Sequence, residues 1–124
     1  MANHNQEGLG RIWRASLYSI QGIKATWKNE AAFRQELVLC GIMAPLAFWV
    51  GTTAAERALL IATCLLVLVT ELLNSAVEAA IDRIGEDRHS LSARAKDMGS
   101  AAVFISLWTV GITWGLIGYE RFVG

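Results

Sequence analysis

The chain has 124 residues, of which 54% are apolar and 18% charged, with five tryptophans and a mean hydropathy of +0.40. Eleven basic residues balance eleven acidic ones, and zero net charge argues against a nucleic-acid binder and against an acidic disordered tail. One proline and two cysteines exclude a proline-rich linker and a disulfide scaffold, so the composition describes one domain, residues 1–124, built for lipid.

The first element is an amphipathic helix over about residues 8–28. Leu9, Ile12, Trp13, Leu17, Ile20, Ile23 and Trp27 recur at i, i+3, i+4 spacing, with Arg11, Arg14, Tyr18, Gln21 and Lys28 opposite. Its charges are too many for a span, so it is expected on the cytoplasmic membrane surface. There it serves either as a plain anchor or as a polar wall, carrying Arg11 and Tyr18, beside a cytoplasmic site.

Three spans follow, at about 30–51, 54–84 and 92–120. Leu37 to Ala55 are 19 uncharged residues, Ala58 to Thr70 are 13, and Met98 to Tyr119 are 22; about 20 residues cross a hydrocarbon core of roughly 30 Å. Asn29 is the expected N-cap of span one, and Thr53-Ala-Ala-Glu56 reads as a capping box opening span two. Gly85 is the expected stop of span two, and Pro45 is expected to kink span one. Gly111-Ile-Thr-Trp-Gly115 suggests close helix contact in span three. Cys40 and Cys64, mid-span, read as small apolar packing residues.

Cationic residues set the orientation. Residues 1–36 carry Arg11, Arg14, Lys24, Lys28 and Arg34, and residues 82–97 carry Arg83, Arg88, Arg94 and Lys96. The other side holds only Arg57 and Arg121. The N-terminus and the 82–97 loop are therefore expected in the cytoplasm and the C-terminus outside.

Span two carries the chemistry. At 100° per residue, Glu71, Asn74, Glu78 and Asp82 project from one side of the helix, with the two glutamates about 10 Å apart along the axis. Ionisable groups inside a span need a partner or water, so this face implies a hydrated pocket; helix–helix glue and an ion path are the competing readings. Glu30 reaches the membrane where Glu78 nears its exit, and two carboxylates at one depth can share Mg²⁺ with phosphate oxygens. Lys96 and Asp97 open span three at that surface, with His89 close by. The set suits phosphoryl transfer to a membrane-bound alcohol: metal and cations for the phosphates, and a base for the hydroxyl.

Four stretches give a resemblance: Asn29-Glu-Ala-Ala-Phe-Arg-Gln-Glu36, Glu71-Leu-Leu-Asn-Ser-Ala-Val-Glu78, Asp82-Arg-Ile-Gly85 and Ala95-Lys-Asp-Met-Gly-Ser-Ala-Ala-Val103. The chain resembles the small membrane-integral prokaryotic diacylglycerol kinases over nearly its whole length. The resemblance implies an all-α homotrimeric bundle in the bacterial inner membrane, with sites between subunits. It implies transfer of the ATP γ-phosphate to diacylglycerol with Mg²⁺. It makes Glu71 the general base, Asn74 an orienting residue and Asp97 a further catalytic residue, with Glu30 and Glu78 as metal ligands. The ATP surroundings it implies are Arg11, Tyr18, Glu30, Glu78, Asp87, Arg88, His89, Lys96 and Asp97; Arg88 stands where an aromatic is expected. The lipid neighbours are Arg11, Arg34, Gln35, Glu36, Arg57, Glu71, Ser100 and Trp114. The alternatives are an undecaprenol kinase of the same family and, from another class, a small proton or ion channel subunit.

Overall fold

A peptide group in hydrocarbon has no water to bond, so apolar runs of this length satisfy their backbone as helices. The computed structural model describes residues 4–85 and 89–124 and folds them into four helices: α1 (His4–Asn29), α2 (Ala31–Val50), α3 (Ala54–Ile84) and α4 (Ser90–Phe122). The last three are long and apolar enough to cross a membrane. With 31 residues, α3 is about 46 Å long. It therefore overshoots a hydrocarbon core of roughly 30 Å and carries Glu78 and Asp82 toward the polar boundary.

The helix ends follow local chemistry. Thr53 Oγ1 accepts from the Glu56 amide at 3.1 Å, and Glu56 Oε1 accepts from the Thr53 amide at 3.3 Å and the Thr52 amide at 2.8 Å. This capping box starts α3 where the sequence places it, and Gly85 ends it. The start of α2 differs from expectation. Asn29 is the last residue of α1, with its Nδ2 donating to Ala25 O at 2.8 Å. Glu30, in extended conformation, is the N-cap residue of α2 and makes no side-chain cap bond. The asparagine amide is thus spent on the preceding helix. α4 starts at Ser90, two residues early, because His89 Nδ1 accepts from the Leu91 amide at 3.0 Å. α1 also begins earlier than residue 8, at His4, with Glu7 in its first turn complementing the helix dipole. α2 runs through Pro45 to Val50.

α3 packs against both α2 and α4, which scarcely touch each other. At the Gly51 end, Ala47, Val50 and Leu60 form a buried cluster capped by Ile61, Trp114 and Ile117, and Trp114 Nε1 donates to Leu60 O at 3.1 Å. Further along, Thr70 Oγ1 and the buried Ser106 Oγ meet at 2.9 Å between α3 and α4. The apolar stripe of α1, from Leu9 to Trp27, remains exposed, as does much of α4. Gly111 and Gly115 belong to that exposed surface, and nothing among the described residues lies within 4 Å of a methyl group built on either. Among the described residues the GxxxG therefore makes no close contact, because α4 turns Ser106 and Trp114 toward α3 and the glycines away from it.

Candidate active site

The carboxylate face of α3 is turned inward. Glu71 is 8% exposed, and Asn74 and Glu78 are half-buried. Asn74 Nδ2 donates to Glu78 Oε1 at 3.4 Å, one helical turn on. Glu36, Glu30 and Glu78 all lie within electrostatic reach of Glu71. The α1–α2 corner at Glu30 and the first turns of α2 thus bring two more carboxylates to the α3 face. Such a cluster repels itself unless protons or cations neutralise it. Lys96 Nζ, at the start of α4, pairs with Asp82 Oδ1 at 2.9 Å, and its charge also acts on Glu78.

A groove of about 500 Å³ runs between α1 and α3 and reaches Glu30. Ser19, Gly22, Thr26 and Asn29 line one side, and Leu72, Ser75, Ala76 and Ala79 line the other. The α3 residues fall at i, i+3, i+4, i+7, so the groove uses the face next to that of Glu71, Asn74 and Glu78. Small side chains keep it open. It is apolar with a few polar atoms near a charged end, as suits an amphiphile's headgroup and upper chain.

The donors suit magnesium by chemistry. Every candidate is a hard carboxylate oxygen. Among the described residues no three His, Cys, Asp or Glu side chains form a ready cage. Mg²⁺ is held in kinases by one or two carboxylates together with substrate phosphates, so a two-carboxylate site is compatible with it.

The chain brings together Glu30, Glu36, Glu71, Asn74 and Glu78, with Lys96 and Asp82 beside them. Asp97 and Ser100 are exposed on the first turns of α4. His89 uses Nδ1 as the cap of α4. Asp87 and Arg88 lie outside the described residues. Arg34 Nη1 donates to Trp27 O at 2.7 Å and Lys28 O at 3.2 Å, closing the α1–α2 corner. Gln35 and Arg34 edge a shallow apolar hollow with Val38 and Leu39. Arg57 lies elsewhere, about 21 Å along α3 from Glu71. Its Nε donates to Gly51 O at 3.2 Å and its guanidinium sits 5.8 Å from the Phe48 ring centre. Trp114 belongs to that same far end. Arg11 lines a small polar hollow with Glu7 and Arg14, about 12 Å along α1 beyond Ser19 at the groove. Tyr18 is exposed.

Sequence reasoning passed over Gly99 and Ser75. Gly99 lies directly against Asn74, and Ser75 lines the groove. Both sit inside the quoted stretches, at one helical turn from Lys96 and from Glu71 or Glu78.

The helices and the acidic cluster define a small helical membrane protein with a polar cluster near one end of its spans. Residues 17–118 match the family described as prokaryotic diacylglycerol kinase, and the chain belongs to that family. It is similar to the diacylglycerol kinase of Haemophilus influenzae, at 55% identity over 108 residues, 87% of this chain and 92% of that one. Against the diacylglycerol kinase of Pseudomonas aeruginosa the identity is 51%, covering 90% of this chain and 91% of that one. Against that of Escherichia coli K12 it is 49%, covering 98% and 99%.

Proposed function

We propose that this chain phosphorylates diacylglycerol with ATP, giving phosphatidic acid and ADP, at the face of α3 where Glu71, Asn74 and Glu78 stand, with Glu30 and Glu36 within electrostatic reach of Glu71. One observation carries the assignment: Glu71 is buried on α3 within reach of three other carboxylates, beside an amphiphile-sized groove. The relatives named diacylglycerol kinase supply the reaction, and the channel-subunit reading leaves the family membership unexplained.

Glu71 is the general base. The acceptor hydroxyl attacks the γ-phosphorus of ATP, its oxygen–phosphorus bond forms as the β,γ bridge bond breaks, and its proton passes to Glu71. Asn74 fixes the Glu78 carboxylate by its hydrogen bond. Glu30 and Glu78 would hold Mg²⁺, which would supply positive charge to the phosphates. Lys96 contributes a positive charge beside Glu78, and Asp97, Arg11, Tyr18, Asp87, Arg88 and His89 complete the nucleotide surroundings. Arg34, Gln35, Glu36 and Ser100 flank the lipid near its headgroup. Arg57 and Trp114, about 16–21 Å along α3 from Glu71, stand at the depth of acyl-chain ends.

The working unit is a homotrimer in the bacterial inner membrane, with the N-terminus cytoplasmic and the C-terminus periplasmic. The exposed apolar faces of α1 and α4 and the cationic bias of residues 1–36 and 82–97 support this. So does the place of Arg11, outside the groove of its own chain.

Mg²⁺-dependent ADP release by the purified protein in detergent, with diacylglycerol or undecaprenol supplied, tests the reading. Diacylglycerol is the expected acceptor. Glu71→Gln should lower turnover by about 10²–10⁴-fold while leaving MgATP binding in place. Glu78→Gln and Glu30→Gln should weaken MgATP binding as well. Turnover that needs no lipid alcohol, or Glu78→Gln with normal MgATP affinity, would overturn it.

A further inference from the structure

The acidic cluster is built from hard oxygen donors; a second cluster, deeper in the membrane, is built from sulfur. Cys40 and Met43 are three residues apart on α2 and share one face. That face meets Cys64 of α3. Cys40 Sγ donates to Cys64 O at 3.3 Å, and Cys64 Sγ lies 4.0 Å from Met43 Sδ. The two thiols also lie within electrostatic reach of one another. Cys64 is 5% exposed, and Cys40 and Met43 are half-buried. Neither cysteine is in a disulfide.

We propose that Cys40, Met43 and Cys64 form a binding site for a soft monovalent cation of the Cu(I) class, midway along α2 and a third of the way along α3. Thiolate and thioether ligands select Cu(I) over hard cations, so the site is chemically distinct from the carboxylates that serve magnesium. Size fits as well. Three sulfurs placed about 2.3 Å from a central metal, as in metal–thiolate sites, stand about 4 Å apart. Cys64 Sγ and Met43 Sδ already have that separation.

Charge decides the stoichiometry. A charged complex in hydrocarbon is costly, and one Cu(I) that displaces one thiol proton leaves a neutral one. The second thiol and the thioether then bind as neutral donors, with no electron transferred. Glu36, one turn before Cys40 on α2, places its negative charge within reach of both thiols and draws a cation toward them. A bound ion would tie α2 to α3 directly, beside the residues that line the reaction site.

The purified full-length protein in detergent, handled anaerobically, is loaded with Cu(I) and desalted against a Cu(I) chelator. One copper per chain should be retained, and X-ray absorption should show a sulfur shell at about 2.3 Å. Cys40→Ala and Cys64→Ala should each weaken binding by more than about 100-fold, and Met43→Leu by about 10-fold with one sulfur lost from the shell. All three variants should keep copper-free kinase turnover, which reports that they fold. If a cysteine variant loses turnover, wild-type protein with both thiols capped by methylthiolation gives the same comparison. Copper held equally by the capped protein, bound through nitrogen or oxygen, or surrendered entirely by the wild type overturns the site.

Discussion

Gly99 of α4 lies against the side chain of Asn74 so closely that a methyl group at position 99 would collide with Asn74 Oδ1 and stand 3.3 Å from its Cγ. The same Oδ1 is buried and has no hydrogen-bond partner among the described residues. Asn74 is therefore held by shape on the Gly99 side and by its bond to Glu78 on the other. Gly99 is needed here for space, since its backbone is ordinary helix.

Gly99→Ala should accordingly displace Asn74 and release Glu78. Alanine gains about 1 kcal/mol in helix propensity, and overpacking costs about 1–3 kcal/mol, so the net change in stability should be zero to about 2 kcal/mol of loss. The kinetic effect should be of similar size, with KM for MgATP rising about tenfold, about 1.4 kcal/mol. Steady-state kinetics and thermal unfolding check this. A Gly99→Ala protein that is more stable and kinetically normal would show that Asn74 does not depend on the contact.

The Lys96–Asp82 pair is exposed on both sides, at 44% and 69%, and exposed pairs contribute little to stability. Its value lies in where it holds the ammonium, next to Glu78. Asp82→Asn should leave thermal unfolding nearly unchanged, whereas Lys96→Met should raise KM for MgATP by tenfold or more. The effect on KM should shrink as salt rises. A Lys96→Met enzyme with unchanged nucleotide affinity would remove Lys96 from the phosphate surroundings.

The capping box at Thr53 provides a contrast. It stands about 27 Å along α3 from Glu71, and it satisfies the free amides at the start of the helix. Thr53→Ala should cost about 1 kcal/mol of stability and leave kcat and both KM values unchanged. Urea or thermal unfolding in detergent, run beside the kinase assay, separates the two. A change in kcat would mean that strain at the far end of α3 reaches the site.

Much of this was legible in the sequence because the signals are periodic or local. Uncharged runs gave the spans, Thr53 and Glu56 gave the start of α3, and the 100° spacing gave the shared face of Glu71, Asn74 and Glu78. What escaped depends on competition or on distance. Asn29 had two helices to serve and served the first, bonding Ala25. His89 could cap a helix or face a ligand, and its Nδ1 caps. Glu36 joins the acidic cluster only because α2 crosses α3 at that height, and a single-helix projection cannot show it. Gly99 is one of 11 glycines in the sequence, and only the approach of Asn74 sets it apart from the exposed Gly111 and Gly115.

Arg34 shows how a cation proposed beside the lipid also serves the fold. Its guanidinium donates to Trp27 O at 2.7 Å and Lys28 O at 3.2 Å. These carbonyls close the C-terminal end of α1, where a cation both supplies missing donors and complements the helix dipole. The clamp fixes the corner at which Glu30 leaves α1, and so the position of a carboxylate assigned to magnesium. Arg34→Ala should loosen that corner and raise KM for MgATP by about tenfold, and Arg34→Lys should recover only part of the loss, because an ammonium lacks the planar fork. Amide exchange adds a readout independent of activity: the Glu30 amide, now bonded to Thr26 O at 2.8 Å, should exchange faster in Arg34→Ala. If instead KM for diacylglycerol alone rises and the Glu30 amide stays protected, Arg34 acts on the lipid and the corner holds without it.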